Sequence, residues 1–266
     1  MLGAIIGDIV GSKYEFDNIK TKEFRLFDKD CFFTDDSVMT LAVAKSLLEY
    51  RSNPDKLDLN QIVIKNMHSF GKKYPNRGYG GSFLLWLLRE DTKPYNSFGN
   101  GAAMRVSACG FAANSLEEAK ELSKKVTEVT HNHREGLKGA EATVVAVYMA
   151  KIGLSKFEIR KYINKHYYKL DFTLDDIRPT YEFNETCQDT VPQAIEAFLE
   201  SESFEDAIRN AISIGGDSDT LAAITGAIAE AYYGIPKKIK KQALSYLDSY
   251  QKEIIDNFYQ MIYPKK

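Results

Sequence analysis

Apolar side chains recur every three or four residues along most of the chain, which is the period of an amphipathic α-helix. Leu41, Ala44, Leu47 and Leu48 form one such stripe, and residues 62–70 contain another. Alternation with a period of two, typical of strands, is rare. The pattern therefore predicts an all-α fold.

Two stretches, residues 140–150 and 221–232, are rich in Ala, Val and Ile, which indicates central helices with little polar surface. A further helical stretch is predicted from Pro236 to about Tyr263. Residues 24–33 are short and charged and are the one candidate for extended structure. No repeat or linker divides the chain, so we expect one domain over residues 1–266, an orthogonal bundle of many helices.

Gly3, Gly7 and Gly11 recur every four residues in the first predicted helix. One face of that helix therefore carries no side chains, and another backbone can approach it closely. We prefer this structural interpretation to a ligand-binding role.

Composition narrows the function classes. The net charge of -2 gives no general attraction to nucleic acid or anionic membranes. Cys31, Cys109 and Cys187 are odd in number and far apart, which favours free thiols in a reducing compartment. The first apolar run lacks a basic start and is broken by Asp8 well short of the roughly 18 residues of a membrane span. We therefore expect a cytoplasmic protein without a membrane anchor.

Two acidic segments interrupt the helical pattern. FFTDDS at residues 32–37 and GGDSDT at residues 215–220 each place two aspartates and a threonine at the start of an apolar helix. Either segment alone is explained as a helix N-terminus, because Asp, Ser and Thr accept hydrogen bonds from free backbone amides and negative charge is favoured there.

Taken together, the segments allow a second interpretation. A cap needs one oxygen, whereas each segment supplies two carboxylates and a hydroxyl. If the two helix starts meet, four carboxylates converge, and their repulsion requires cations. Oxygen ligands without Cys or His suit Mg, Mn or Ca, and four carboxylates suffice for two such ions. The spacing by itself leaves the cap and the metal site both open.

Six segments, in order, carry a resemblance to a known family: GAIIGDIVGSKYE, TDDS, RGYGGS, FGNGAAMRVS, THNHREGLKGA and GGDSDT. The chain resembles the ADP-ribosylglycohydrolases, which include the dinitrogenase reductase-activating glycohydrolase and the ADP-ribosyl-acceptor hydrolases. The resemblance implies an all-α fold with two Mg or Mn ions in a central cleft. The metal ligands that it implies are Thr34, Asp35, Asp36, Asp217, Asp219 and Thr220.

The resemblance also implies catalytic roles. Glu15 matches the glutamate of a mobile flap that enters the metal site or contacts substrate, and residues 13–33 are long and charged enough to form that flap. The plain alternative for Glu15 is a solvated loop carboxylate. Asp35 or Asp36 is expected to take the proton of the attacking water.

Glycine segments suit a diphosphate, because backbone amides approach phosphate oxygens closely only where side chains are small. The two glycine segments are GYGG at residues 78–81 and GNGAA at residues 99–103, and without the resemblance both are plain glycine turns. In similar proteins they line the ADP-ribose cleft, together with the histidine of the TH segment. The residues expected there are Gly78, Gly80, Ser82, Asn100, Gly101, Ala102 and His131.

The roles of neighbouring residues are less specific. We expect Arg105 to brace its loop through carbonyl or carboxylate contacts, and Tyr79 or Phe98 to stack on adenine. His133 shares the TH segment, whereas His68 and His166 match no segment and are interpreted as structural.

The expected reaction is hydrolysis of the bond between C1″ of the distal ribose and an acceptor side chain. The partner is then an ADP-ribosylated protein or another ADP-ribosylated acceptor, and we expect a monomer. Two alternatives stay open: a non-catalytic ADP-ribose-binding module, and a dinuclear metal phosphohydrolase that cleaves a nucleotide diphosphate. The acceptor itself is left undetermined.

Overall fold

The period-3.6 pattern corresponds to helices throughout the structure, which is a computed structural model describing residues 1–264. Within these residues there is one isolated antiparallel bridge, between Gly99 and Thr186, and no longer strand. The all-α prediction is confirmed. The helices are α1 (Leu2–Gly11), α2 (Asp35–Ser52), α3 (Leu59–Lys73), α4 (Gly81–Leu88), α5 (Gly101–Met104), α6 (Ser107–Ala112), α7 (Leu116–Glu128), α8 (Arg134–Lys151), α9 (Lys156–His166), α10 (Leu174–Ile177), α11 (Cys187–Leu199), α12 (Phe204–Ser213), α13 (Ser218–Tyr233), α14 (Lys237–Leu244) and α15 (Ser249–Ile262).

Two local expectations differ from the structure. Residues 24–33 form bends and turns rather than a strand. The last helical stretch is two helices, because Asp248 starts α15 anew: its carboxylate accepts the amide of Gln251, whose side chain accepts the amide of Asp248 in return. This reciprocal cap fixes the chain direction at the break.

Helix α13 lies at the centre of the bundle, where α1, α8, α11 and α12 pack against it. Residues 218–230 are all buried, as expected of a helix whose side chains are mostly small and apolar. The first turn of this central helix carries part of the acidic GGDSDT segment.

The bare glycine face of α1 packs directly on the backbone of α13. A Cβ on Gly3 would lie 2.1 Å from the carbonyl oxygen of Gly226, and one on Gly7 would lie 1.9 Å from that of Ala222. A Cβ on Gly11 would lie 2.5 Å from the Cα of Asp219. No side chain fits in such gaps. The predicted close approach of another backbone is therefore present, and it places the start of α13 against the end of α1.

All three cysteines are free and buried, in agreement with the prediction of free thiols. Within residues 1–264, none of the helices combines the length and the apolar character needed to cross a bilayer. The cytoplasmic location stays a prediction.

Candidate active site

The two acidic helix starts meet in space. The hydroxyl of Thr220, in the first turn of α13, donates to Oδ2 of Asp36, in the first turn of α2, at 3.3 Å. This contact joins residues 184 positions apart. The convergence on which the metal interpretation depends is therefore present.

A left-handed turn aims the GGDSDT segment into the site. Gly215 and Gly216 have φ values of +71° and +75°, a region that favours glycine. The turn joins α12 to α13 and leaves Asp217 at the N-cap of α13. The side-chain amide of Asn100 donates to Oδ2 of Asp217 at 2.7 Å and so fixes the orientation of this carboxylate.

Asp8 of α1 holds the other helix start, and the sequence interpretation did not assign it to the site. Its carboxylate accepts the backbone amides of Thr34 and Ser37, at 3.0 and 3.1 Å, and both of their hydroxyls. Burial raises the pKa of Asp8 to about 6. The available signal was a lone carboxylate inside the apolar run GAIIGDIVG, which is costly to bury without partners.

The two acidic helix starts face a cavity of about 470 Å³, and most of the predicted site residues line this cavity. This volume lies in the range of small-molecule sites. The predicted residues that line it are Glu15, Asp35, Asp36, Gly78, Gly80, Ser82, Asn100, Gly101, His131, Asp217, Asp219 and Thr220.

Thr34 and Ala102 differ from this group, because they are buried and are not among the residues that line the cavity. Thr34 caps α2: its hydroxyl donates to Oδ1 of Asp8 at 2.6 Å and accepts the amide of Asp36 at 3.3 Å. Ala102 is buried in α5, and its amide donates to the carbonyl of Gly99 at 3.2 Å. Both support the cavity wall from behind, and their direct contact with a ligand stays a prediction.

Loop residues supply lining that no pattern pointed to. Residues 95–97 precede the GNGAA segment, and Asn96 takes a left-handed conformation with a φ of +54°. Glu185 and Thr186 reach the wall because the bridge between Thr186 and Gly99 joins their loop to the glycine segment.

Four aspartates form what we call the acidic end of the cavity, and their carboxylates repel one another: Asp35, Asp36, Asp217 and Asp219. Burial, followed by repulsion from Asp219, raises the pKa of both Asp35 and Asp36 well above the usual value. The pKa of Asp219 is raised in the same way by burial and Asp217. Oδ1 of Asp36 is buried without a hydrogen-bond partner. A buried, oxygen-only group of mutually repelling carboxylates fits hard divalent cations.

Glu15 lies at the edge of this group. One oxygen each from Glu15, Asp217 and Asp219 lie within 4.8 Å of one another, a spacing that can hold a metal ion. Burial, Asp219 and other nearby carboxylates raise the pKa of Glu15 to about 8. The alternative of a solvated loop carboxylate does not describe this environment.

Residues 12–34, which we call the Glu15 loop, are fastened across the acidic end. The side chain of Asn18 accepts the amide of Gly216 at 2.7 Å and donates to its carbonyl at 2.9 Å. Phe16 is largely exposed and stacks on Phe183, with ring centroids 5.9 Å apart. A few contacts therefore hold the loop to the GGDSDT turn.

Glycine segments form another part of the cavity wall, which we call the glycine end, and they adjoin the carboxylates: a Cβ on Gly78 would lie 3.4 Å from Oδ1 of Asp35. Gly80 is the N-cap of α4, so the first amides of this helix point out of it without intrahelical acceptors. Gly99 and Gly101 lie beside His131: its Nε2 is 3.7 and 3.5 Å from the positions that Cβ atoms on them would take. The first amides of α4 and the His131 imidazole therefore belong to this part of the wall, whereas the amides of Gly99 and Asn100 already donate to Ser97 and Glu185.

Arg105 was predicted to contact carbonyls or carboxylates, but it contacts a hydroxyl and a ring nitrogen. Its guanidinium donates to Oγ1 of Thr130 at 2.6 Å and lies 3.4 Å from Nδ1 of His131. Burial lowers the pKa of Arg105 to about 10, so it stays charged at neutral pH. Of the described residues that line the cavity, it supplies the one Lys or Arg side chain.

The other histidines take structural positions. His133 caps α8, where its Nδ1 accepts the amide of Glu135 at 3.2 Å. His68 packs on Trp86, and His166 packs on Tyr162.

The two aromatic side chains proposed for adenine stacking lie in different places. Phe98 lines the cavity beside Tyr95. Tyr79 points away, since its hydroxyl donates to the carbonyl of Tyr74 at 2.8 Å and its ring lines a second cavity next to α4. Phe98 is therefore the better placed of the two.

Comparisons with known proteins agree with this geometry. The sequence model described as ADP-ribosylglycohydrolase matches residues 1–265. The human protein named ADP-ribosylhydrolase ARH3 is 26% identical, over 88% of this chain and 84% of its own length. The protein named ADP-ribosylarginine hydrolase Tri1, from Pseudomonas putida, is 26% identical, over 96% of this chain and 76% of its own length.

A solved structure shares the fold. The structure named "ADP-ribosylglycohydrolase-related protein complex" matches with a TM-score of 0.73 at 21% identity, over 98% of this chain and 94% of that one. It confirms the fold. The sequence matches confirm the resemblance and the expected enzyme class, a glycohydrolase.

Proposed function

Because the chain belongs to the ADP-ribosylglycohydrolase family, we propose that it removes ADP-ribose from a modified acceptor by hydrolysing the glycosidic bond at C1″, with two Mg or Mn ions bound at the acidic end. The observation that carries the proposal is the meeting of the two acidic helix starts, at the contact between Thr220 and Asp36. The relatives named as ADP-ribosylhydrolases support the same substrate class.

The cavity wall combines the carboxylates with glycine segments, His131 and Arg105. The negative diphosphate is repelled by the carboxylates and attracted by Arg105 and by free backbone amides. The distal ribose, which carries the bond to be cleaved, would therefore lie toward the carboxylates, where the cations would bind.

The residues that would hold the ions are those that the family resemblance implies: Asp35, Asp36, Asp217, Asp219 and Thr220, with Thr34 in support. When bound, the ions would polarise the anomeric centre and lower the pKa of a water.

Protein groups account for the proton transfers. Asp35 and Asp36 are the candidate bases for the attacking water, since both project from the first turn of α2 into the cavity. Glu15, at the edge of the carboxylate group, is the candidate acid that gives a proton to the departing acceptor. Asn100 keeps Asp217 oriented through its 2.7 Å hydrogen bond.

The acceptor would enter past the Glu15 loop, and its identity as an ADP-ribosylated protein or another ADP-ribosylated molecule stays a prediction. So do the monomeric state and the cytoplasmic location.

The test is a panel of acceptors carrying ADP-ribose on arginine, serine or an acyl oxygen, each incubated with the protein in Mg, in Mn and in excess EDTA. We expect free ADP-ribose from at least one acceptor, with turnover that requires a cation. The matched variants are Asp36→Asn, which should be inactive, and Asp256→Asn on the exposed face of α15, which should match the wild type.

Product analysis separates the alternatives. AMP would show diphosphate cleavage and would refute glycoside hydrolysis. Calorimetric binding of ADP-ribose without release from any acceptor would indicate a binding module instead. Full turnover in EDTA would contradict the cation site.

A further inference from the structure

Thr130 lies directly behind His131, outside the cavity, and has no assigned role. It is fully buried at the end of α7, where its amide donates to the carbonyl of Thr127 at 3.2 Å. Its own carbonyl accepts the amide of Tyr95, also at 3.2 Å. Two backbone hydrogen bonds therefore fix this threonine between α7 and the segment that leads into the glycine loop.

The hydrogen bonds around the Thr130 hydroxyl can be assigned because Arg105 only donates. The guanidinium of Arg105 donates to Oγ1 of Thr130 at 2.6 Å, so the hydroxyl proton must go elsewhere. The neighbouring partner is Nδ1 of His131, 2.8 Å away. A second donor, the same guanidinium, lies 3.4 Å from that nitrogen. Two donors beside Nδ1 favour its acting as an acceptor without a proton.

An imidazole with an unprotonated Nδ1 carries its proton on Nε2. That nitrogen faces the glycine loop, since it lies 3.5 Å from where a Cβ on Gly101 would be. The ring also stays uncharged. Burial and the charge of Arg105 lower the pKa of His131 well below the ordinary value, and the other neighbour is the Tyr95 ring, with centroids 5.8 Å apart.

We propose that Thr130 and Arg105 are positioning residues that hold His131 in its Nε2–H tautomer, so that this N–H donates to an anionic oxygen of a diphosphate bound at residues 99–101. The identity of the ligand rests on the proposed function, whereas the tautomer is a property of the free protein. The N–H of the uncharged ring then supplies a directed hydrogen-bond donor. The guanidinium of Arg105 behind the ring supplies a positive charge near the phosphate.

The tautomer is tested by nitrogen NMR of protein carrying ¹⁵N-labelled histidine. The chain has four histidines, so a His131→Gln variant assigns the signal. We expect a protonated Nε2 and an unprotonated Nδ1, unchanged between pH 8 and pH 5.5. A wild-type ring protonated on Nδ1, or one that becomes charged in this range, would overturn the proposal without any variant having to fold.

The positioning role is tested with Thr130→Val, which keeps the shape and removes the hydroxyl, and with Thr130→Ser, which restores it. We expect Thr130→Val to weaken ADP-ribose binding by about tenfold and to raise KM with little change in kcat, because the acidic end is untouched. The NMR signal of His131 should then show both tautomers. Thr130→Ser should behave as the wild type.

An unchanged tautomer and unchanged affinity in folded Thr130→Val would refute the role of Thr130. If the wild-type protein shows the Nε2–H tautomer but binds no ADP-ribose, the ligand assignment and the proposed function fail, while the role of the pair in fixing the ring stands. Calorimetry with ADP-ribose and the NMR measurement therefore separate the two failures.

Discussion

Asp36 and His131 both line the cavity and are both buried, yet the protein treats their polar atoms differently. Oδ1 of Asp36 has no hydrogen-bond partner, and carboxylates surround it. Nδ1 of His131 is within hydrogen-bond distance of two side chains, those of Thr130 and Arg105. At Asp36 a buried oxygen is left without a partner, whereas at His131 the protein itself supplies the partners. A substitution at the acidic end should therefore change the stability of the cation-free protein. A substitution at the glycine end should instead change the affinity for ADP-ribose and leave the fold intact.

The largest effect is expected from removing one charge at the acidic end. Asp36→Asn should lower turnover by about a thousandfold, equivalent to about 4 kcal/mol in the activation barrier, because the site loses a negative charge that would hold the cations. The same variant should make the cation-free protein more stable, since it relieves repulsion from Asp219. Turnover assays and urea unfolding in EDTA measure the two effects. A less stable cation-free variant would contradict the contrast between the ends.

The next largest effect is expected where the scaffold sets the position of the acidic end. Gly7→Ala should destabilise the protein by about 3 kcal/mol, because its Cβ would lie 1.9 Å from the carbonyl oxygen of Ala222. The matched control is Gly80→Ala, whose Cβ would meet nothing within 4 Å and should leave stability within about 0.5 kcal/mol. Urea unfolding of both proteins checks the prediction. Equal stabilities would mean that α1 and α13 can move apart without cost.

A pH effect should follow from the raised pKa values. Asp217 shifts from 3.8 to about 6 on folding, and Glu15 shifts from 4.5 to about 8. The folded protein then binds more protons than the unfolded chain, so the stability that these groups contribute is present below pH 4 and is lost as the pH rises toward 8. The shift of Asp217 alone corresponds to about 3 kcal/mol.

The measurement is thermal unfolding in EDTA and in saturating Mn across pH 5 to 8, for the wild type and Asp217→Asn. The stabilisation by Mn should grow with pH, because cations bind the deprotonated carboxylates. The dependence should be weaker in Asp217→Asn. A stabilisation that is independent of pH in both proteins would contradict the raised pKa values.

The smallest effect is expected at the glycine end. Gly101→Ala places a Cβ 3.5 Å from Nε2 of His131, which is an ordinary contact distance, so the fold should be kept. The added methyl group covers the N–H donor, and ADP-ribose affinity should fall by about tenfold, or about 1.4 kcal/mol. Affinity for Mn in the absence of ADP-ribose should be unchanged. Calorimetry with each ligand tests this, and a loss of Mn affinity would show that the two ends are coupled.

The helices and the acidic segments could be predicted from the sequence because they depend on local regularities. The stripe on α2 and the bare face of α1 follow from spacing within a single helix. The aspartates of residues 215–220 could be placed in a site because a second acidic segment suggested the same chemistry.

The remainder of the site depends on tertiary contacts. The role of Asp8 becomes visible only when α1 lies against Thr34 and Ser37. Thr130 has no distinguishing neighbours in the sequence, and its role depends on the position of Arg105. Glu185 reaches the cavity wall through a bridge between two loops. None of these contacts follows from a period or a repeat.

The close contact between α1 and α13 has a consequence for ion choice. Gly11 brings the end of α1 so near Asp219 that the start of α13 cannot shift toward it, and Asp8 ties α2 to the same helix. Both acidic helix starts are thus attached to one shared support, and the gap between their oxygens cannot widen freely. Mg requires oxygens at about 2.1 Å, whereas Ca requires about 2.4 Å and more of them. A gap that cannot widen would discriminate between divalent ions by their radius.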